Sequence, residues 1–164
     1  MKTLLLMRHA KSDWDADYGP DHDRPLNDRG LRSARLMGRV LADEGLVPEL
    51  IISSTAVRAR RTAELAIEAG DWDTTLLLDR SLYDEGPRGV LEAGASAPDV
   101  SSVMLVGHQP TWSLLVSAVT GERADMKTAT VAVIELGLES WAELPGASGK
   151  LARLLEPRAY DREP

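Results

Sequence analysis

The chain contains no cysteine. Disulfide bonds, a thiolate nucleophile and a zinc–thiolate centre are therefore excluded, and a reducing cytosol suits such a composition. No stretch approaches the roughly 20 apolar residues of a membrane-spanning helix, and the apolar run at 3–7 is too short for the core of a secretory signal. We therefore expect a cytoplasmic protein with no membrane segment.

Positive charge is also scarce, because 19 Lys and Arg residues stand against 26 Asp and Glu residues and leave a formal net charge of -7. Binding to a nucleic-acid backbone depends on a basic face, so nucleic acid is not an expected partner. An anionic ligand must be bound by a local cluster of positive side chains. The 164 residues fit one domain spanning 1–164, with no internal repeat and no low-complexity tract.

Short apolar segments alternate with segments of helical period, a pattern typical of βαβ units around a largely parallel sheet. In the first two-thirds of the chain the predicted strands are 3–7, 50–52, 75–78 and 102–106. In the final third, 128–136, 140–144 and 150–155 are predicted strands joined by short turns. We therefore predict an α/β fold: a three-layer α/β/α sandwich whose mostly parallel central sheet has an antiparallel edge formed by the C-terminal strands.

Capping and turn residues mark helices between these strands. Their predicted extents are from Asn27 or Asp28 to Gly45, from the potential caps Ser53, Ser54 and Thr55 to Gly70, a short helix around 90–93, and from Pro110 to Val119. The segment 79–98 is expected to form part of the wall of a pocket.

Two histidines stand where predicted strands end. His9 follows the first strand and His108 follows the strand at 102–106. In an open α/β sheet, ligands bind just beyond the carboxyl ends of the strands, so the two imidazoles can face one pocket. A single histidine at a strand end is more often structural. The coincidence of two, one beside Arg8 and the other beside Gly107, favours a functional site.

The side chains gathered at this edge predict a pocket for an anion; they are Arg8, His9, Ser53, Ser54, Arg58, Gly107 and His108. Arginine supplies forked donors that match phosphate oxygens, and a helix start adds backbone amides. Histidine can serve as donor, nucleophile or proton carrier. The alternative is that the arginines are solvated and the serines are only helix caps.

Other chemistries are less well supported. The sequence Asp21-His22-Asp23 invites a metal, but its spacing fits no helical ligand pair and clustered arginines repel a cation, so no metal site is predicted. His22 is assigned either to the surface or to the rim of the pocket. A serine triad lacks its Gly-x-Ser-x-Gly turn.

Four segments carry a resemblance to a known family; they are 6–10 (LMRHA), 24–30 (RPLNDRG), 53–62 (SSTAVRARRT) and 106–110 (VGHQP). In this order, and over nearly the whole chain, they resemble the phosphoglycerate mutase-like histidine phosphatase superfamily, specifically its small branch of SixA-type bacterial phosphohistidine phosphatases. The resemblance implies that His9 is the nucleophile that takes the phosphoryl group, while Arg8, Arg58 and His108 hold its oxygens.

Further expectations follow from that resemblance. Neither a metal nor another cofactor is required, because the arginines neutralise the charge that gathers on the phosphoryl oxygens. Lys11, Ser12 and Trp14 are expected to form one rim of an open, shallow site, and Ser12, Ser53 and Gly107 to contribute to binding of phosphate or substrate. The partner is then a phosphorylated protein or a small phosphorylated substrate; the oligomeric state stays open.

The general acid is the main departure from the family pattern. Many members carry a glutamate that protonates an alkoxide leaving group, and the corresponding region here, 80–86 (RSLYDEG), leaves Asp84, Glu85 or neither in that role. An acid is worth roughly 100- to 10,000-fold for such a group. The imidazole of phosphohistidine leaves more easily, so a missing acid favours protein phosphohistidine. A functional acid would favour broad phosphomonoester hydrolysis, and a third alternative is a non-catalytic module that binds a phosphorylated ligand.

Overall fold

A mixed sheet forms the centre of the protein in the computed structural model, which describes residues 1–161. Its strands are β1 (Lys2–Arg8), β2 (Leu50–Ser53), β3 (Thr75–Leu78), β4 (Ser102–Gly107), β5 (Val131–Leu136) and β6 (Gly149–Leu155). Within these residues the sheet has the order β3-β2-β4-β1-β5-β6. The first four strands of that order run parallel, and β5 and β6 add an antiparallel edge. The predicted mixed sheet is confirmed.

Helices cover both faces of this sheet; they are α1 (Asp28–Asp43), α2 (Val57–Gly70), α3 (Ser81–Asp84), α4 (Pro87–Ala95) and α5 (Thr111–Thr120). α1 and α2 pack with Leu5 and Met7 of β1 in one apolar core, whereas α4 and α5 pack with Leu4 and Leu6 in another. All four side chains are buried, as expected for a central parallel strand covered on both faces. The three-layer sandwich is confirmed.

No helix in residues 1–161 combines the length and the apolar character needed to span a membrane.

A side-chain cap marks the start of α1 but not the start of α2. Asn27 caps α1, because its side chain accepts a hydrogen bond at 2.8 Å from the backbone N–H of the third helical residue. The prediction that a hydroxyl of 53–55 caps α2 is wrong, since the N-cap is Ala56, which has no side-chain acceptor. Ser54 accepts from the N–H of Ala56 itself at 3.1 Å, and its hydroxyl is thereby placed beside the functional site described below.

The predicted strand at 140–144 is also wrong. Trp141–Glu143 forms a short 3₁₀ turn, in which Ser140 and Glu143 cap each other's backbone N–H groups. Trp141 and Leu144 are both buried although they lie three residues apart. A helical turn puts such a pair on one side, whereas a strand would point them to opposite faces.

The segment before β5 is a turn rather than the start of a strand at 128. Ala129 has a φ of 60°, a left-handed conformation that a strand does not accommodate. Its N–H lies 3.1 Å from the carbonyl oxygens of both Arg8 and His9. The turn therefore anchors the chain that leaves β1, and this chain carries the residues of the site.

Candidate active site

The two strand-end histidines emerge side by side from neighbouring strands. β1 and β4 are parallel, with Arg8 in register with Gly107, so His9 and His108 are the next residues on each strand. The N–H of His9 donates to the carbonyl of Gly107 at 3.0 Å, and the two imidazole centroids lie 5.2 Å apart. The structure thus brings together the two histidines that the sequence places about a hundred residues apart.

His9 is held as a neutral imidazole with one defined tautomer. Its Nδ1 lies 2.6 Å from the carbonyl oxygen of Ala10, and because a carbonyl only accepts, Nδ1 carries the hydrogen. Nε2 therefore keeps a free lone pair. Burial, followed by electrostatic repulsion between a protonated His9 ring and both His108 and Arg58, lowers the pKa of His9 to about 3 and outweighs the opposing effect of the Ala10 carbonyl. The side chain is thus an uncharged imidazole at neutral pH.

The backbone that orients His9 is itself held by α2. Thr62 accepts a hydrogen bond from the N–H of Ala10 at 3.0 Å and donates its own hydroxyl hydrogen to the carbonyl of Arg58 at 2.6 Å. Thr62 is completely buried. One threonine hydroxyl therefore ties the loop after β1 to the helix that carries Arg58.

Buried guanidinium groups surround the cavity in front of His9. Arg24 and Arg58 are only 5% and 6% exposed. Arg58 donates to the carbonyl oxygen of Asp21 at 2.9 Å and to its carboxylate at 3.0 Å, and Arg24 donates to the same carboxylate at 3.0 Å. Arg8 donates to the carbonyl of Met126 at 3.2 Å. These cations are oriented by partners outside the cavity, which leaves positive charge facing into it.

Some donors in the site have no partner. The Nε groups of Arg8 and Arg58 and the Nδ1 of His108 are buried without a hydrogen-bond partner among residues 1–161. Buried polar groups are normally satisfied. An oxyanion in the cavity has the acceptor oxygens that such donors require.

His108 is positioned by Ser54. Its Nε2 lies 2.8 Å from the Ser54 hydroxyl oxygen, so when that hydroxyl donates, Nδ1 carries the imidazole hydrogen. Burial and the charge of Arg58 lower the pKa of His108 to about 3, although the charge of Asp21 opposes them. The second histidine is thus also uncharged and can offer a neutral N–H to a ligand oxygen.

The cavity has a volume of about 410 Å³ and is lined by Arg8, His9, Lys11, Ser12, Trp14, Arg24, Arg58, His108, Gln109 and Thr128. Among the described residues no Asp or Glu side chain lines it. Ser12 accepts a hydrogen bond from Arg24. Lys11 and Trp14 lie at the lining as expected, and Trp14 is 69% exposed with the Arg24 guanidinium 3.5 Å from its ring centre. In this position Trp14 covers a buried cation and faces solvent.

Several predicted site residues lie outside the lining. Ser53 is buried and donates to the Ser54 carbonyl at 2.9 Å. Gly107 is buried at the end of β4, where a side chain would overlap the ring of Trp112. Both residues shape the strand ends from behind the cavity and offer no side-chain donor to it.

The candidate acids also lie outside the cavity. Asp84 and Glu85 are exposed, and Asp84 pairs with Arg80 at 3.0 Å. Tyr83, the preceding residue, approaches the site instead: its ring lies 5.5 Å from that of His108 and its hydroxyl donates to Asp21 at 3.1 Å. His22 sits nearby, with its ring 4.8 Å from that of Tyr83 and its Nε2 2.8 Å from the hydroxyl of Thr55.

Arg24 and Asp21 belong to the site although the sequence pattern did not predict them there. Arg24 stands in the 24–30 segment, but nothing in a sequence distinguishes a buried guanidinium from a solvated one. Desolvation raises the pKa of Asp21, but the hydrogen bond from Arg24 and the charge and hydrogen bond of Arg58 outweigh it and lower that pKa to about 2. The spacing of Asp21 and Arg24, three residues apart, was the available signal, because such pairs meet across a helical turn.

Fold and cavity together define an α/β protein with an arginine-lined cavity that contains two uncharged histidines. No group of three or more His, Asp or Glu side chains within residues 1–161 is arranged to hold a metal ion.

Comparison with known proteins identifies the family. The histidine phosphatase superfamily (branch 1) model matches residues 4–84. A candidate phosphohistidine phosphatase, SixA, from Agrobacterium tumefaciens has a similar structure, with a TM-score of 0.81 and 30% identity over 95% of this chain and 98% of that one. A second candidate SixA, from Nakamurella multipartitia, has a TM-score of 0.83 and 28% identity over 95% and 96% of the two chains.

An uncharacterised chloroplastic protein of Arabidopsis thaliana is 31% identical over 172 residues, which cover 95% of this chain and 78% of that protein. The chain belongs to the histidine phosphatase superfamily. The resemblance read from the four motif segments is therefore confirmed at the level of the family.

Proposed function

We propose that this protein is a phosphatase that removes the phosphoryl group from protein phosphohistidine by way of a covalent phosphohistidine on His9. One observation carries the proposal. A neutral imidazole, with Nδ1 bonded to the Ala10 carbonyl and Nε2 free, lines a cavity that buried arginines also line. The likeness to two candidate SixA phosphohistidine phosphatases supports it.

In the first step the Nε2 lone pair of His9 attacks phosphorus. A bond forms between Nε2 and phosphorus, and the bond to the substrate nitrogen breaks. The substrate ring, which has taken a proton from solvent on its other nitrogen, keeps that electron pair and leaves as neutral imidazole. The guanidinium groups of Arg8, Arg24 and Arg58 and the Nδ1–H of His108 stabilise the charge on the equatorial oxygens. The Ala10 carbonyl stabilises the positive charge that develops on the His9 ring.

In the second step a water oxygen attacks the phosphoryl group from the side that the first imidazole has left. The bond from phosphorus to Nε2 breaks, His9 recovers its lone pair, and inorganic phosphate leaves. The same donors hold the oxygens in both steps because the phosphorus lies between the same side chains throughout.

The lining of the cavity supports phosphohistidine over a phosphate ester as substrate. Expulsion of an alkoxide needs a positioned acid, and no carboxylate side chain lines the described cavity. Asp84 and Glu85 are exposed, and the Asp21 carboxylate, whose pKa is about 2, accepts hydrogen bonds and does not hold a proton at neutral pH. An imidazole leaving group needs less assistance than an alkoxide.

The test compares the hydrolysis of a phosphoramidate with that of an alkyl phosphate, in the presence of a chelator. Wild type is expected to cleave the phosphoramidate much faster, and His9→Ala is expected to lose roughly a thousandfold or more of this activity because the nucleophile is gone. His22→Ala is the matched control, since His22 does not line the cavity. The rate of this variant should stay within about twofold of the wild-type rate, because the substituted residue lies outside the cavity lining.

Each other outcome has a definite meaning. Comparable wild-type rates on both substrates would replace phosphohistidine specificity by broad phosphomonoester hydrolysis, and Asp84→Asn and Glu85→Gln would then show which carboxylate is the acid. Activity that survives in His9→Ala would show that His9 is not the nucleophile. Tight binding of phosphate with no turnover by wild type would identify a non-catalytic binding module.

A further inference from the structure

A second cleft, of about 200 Å³, adjoins the catalytic cavity. The two share Lys11 and Thr128 in their linings, so a ligand held in one lies beside a ligand held in the other. The second cleft lies between the start of α1, the turn before β5 and the end of β6, and nothing in the proposed phosphoryl transfer uses it.

The lining of this cleft is strongly basic. Lys11, Arg29, Lys127 and Arg158 contribute cations, and Glu156 is the carboxylate that faces them. In the described part of the chain, Arg29, Lys127 and Arg158 form no ion pair with a carboxylate. On a chain whose formal net charge is -7, this is a local excess of unpaired positive charge. Such a concentration favours an anionic ligand.

A buried hydroxyl gives independent support for a ligand. Thr130 lines the cleft, its residue is completely buried, and its Oγ1 has no hydrogen-bond partner among residues 1–161. Buried hydroxyls without partners are uncommon in folded proteins. An oxyanion placed among the cations can accept the Thr130 hydrogen, which satisfies this group and adds a directed contact to the electrostatic attraction.

We propose that this cleft binds a second oxyanion of the substrate, beside the phosphohistidine that the catalytic cavity takes. The proposal rests on the proposed function, because it assigns the specificity of that same site. The substrate class is then a phosphohistidine protein with an acidic group near the modified residue. Two sources share this chemistry: the carboxylate of a neighbouring Asp or Glu, and a second phosphoryl group.

The test uses three phosphohistidine peptides that differ at one flanking position, which holds Gln, Glu or phosphoserine. Wild type is expected to show a KM for the Glu peptide about fivefold below that for the Gln peptide, a size that partly exposed charge pairs produce. Arg29→Gln combined with Lys127→Gln should remove this preference and leave the hydrolysis of a phosphoramidate unchanged. Arg39→Gln combined with Arg88→Gln removes the same charge from exposed positions outside both linings. This control variant should retain the preference for the Glu peptide.

Thr130→Val provides a second variant of nearly unchanged shape. It should raise the KM for the Glu peptide without lowering the thermal midpoint, because the hydroxyl that it removes has no partner in the described protein. A KM for the phosphoserine peptide below that for the Glu peptide assigns the cleft to a phosphoryl group, and a KM at or above it assigns the cleft to a carboxylate.

Equal KM values for the Gln peptide and both charged peptides in wild type would overturn the second-oxyanion site, as would a preference that survives in the Arg29→Gln, Lys127→Gln variant. Neither result would affect the proposed phosphatase activity. That activity is tested separately by the rate of hydrolysis of the phosphoramidate, a substrate that carries no second anion.

Discussion

Asp21 is the residue on which two arginines of the cavity converge. Its carboxylate accepts hydrogen bonds from Arg24 and Arg58 at 3.0 Å each, while the hydroxyl of Tyr83 donates to it at 3.1 Å. The carboxylate is half-exposed and does not line the cavity. A negative charge placed behind the guanidinium groups fixes their orientation and leaves their remaining donors for the ligand. Asp21 is therefore a positioning residue for the proposed reaction.

Replacing Asp21 tests this role. Asp21→Ala is expected to lower kcat about 10- to 100-fold, because small misplacements of groups that stabilise a transition state have effects of this size. The rate is measured with the phosphoramidate. Asp23→Ala is the matched control: it removes an equally exposed carboxylate that contacts neither arginine, and kcat should be preserved. Unchanged kcat in Asp21→Ala would mean that the arginines hold their orientation without it.

Among the elements, α1 and α2 are joined by an unusually close backbone approach. A side chain at Gly38 of α1 would overlap the backbone of Ala66 in α2, and the Gly38 carbonyl accepts a hydrogen bond from the indole of Trp72 at 2.9 Å. Because α2 carries Arg58 and Thr62, this helix crossing supports the layer from which the site is built. Glycine is required here for space, not for an unusual backbone angle.

Gly38→Ala should therefore be destabilising although alanine favours a helix by about 1 kcal/mol over glycine. We expect the free energy of unfolding to fall by about 2 kcal/mol or more, since the overlap is with backbone and the helices must move apart. Urea denaturation measures the change. Gly19→Ala is the control, because a side chain there has no atom within 4 Å. Equal stability of the Gly38→Ala variant and wild type would show that the two helices can separate without cost.

At the scale of the whole molecule, the site makes stability depend on pH. His9 and His108 have pKa values of about 3 in the folded protein, because of burial first and of nearby positive charge second, against an ordinary value of 6.5. Below pH 6.5 the unfolded chain binds protons that the folded protein does not bind. The stability that this neutrality confers is therefore fully present above pH 6.5 and is lost as the pH falls towards 3.

Each of these histidines should reduce the free energy of unfolding by up to about 1.4 kcal/mol for each unit by which the pH falls between 6.5 and 3. His108→Gln removes one of the two contributions. Its stability, measured by denaturant unfolding between pH 6 and pH 4.5, should fall less steeply than that of wild type by about this amount. Parallel slopes for the two proteins would contradict a strongly lowered pKa at His108.

Much of the fold follows from local patterns. The apolar run at 3–7 and the β-branched run at 102–106 are both continuous rather than alternating, which is the pattern of strands buried on both faces, and they form β1 and β4. The prediction of a strand at 140–144 was wrong because two apolar residues at a spacing of three also fit one side of a helical turn. Periodicity cannot resolve segments this short, and the packing of Trp141 decided the outcome.

The sequence by itself determined the α/β architecture, the order of the motifs and the two histidines at strand ends, because these depend on neighbouring residues and on the geometry that every parallel sheet shares. Only the tertiary structure decided that Arg24 is buried, that Asp21 joins it to Arg58, and that Asp84 and Glu85 face solvent. Burial and charge pairing depend on what distant segments bring to the same place, and a linear pattern does not record this. The protonation state of His9 belongs to this second group, since its low pKa arises from desolvation by residues gathered from the whole chain.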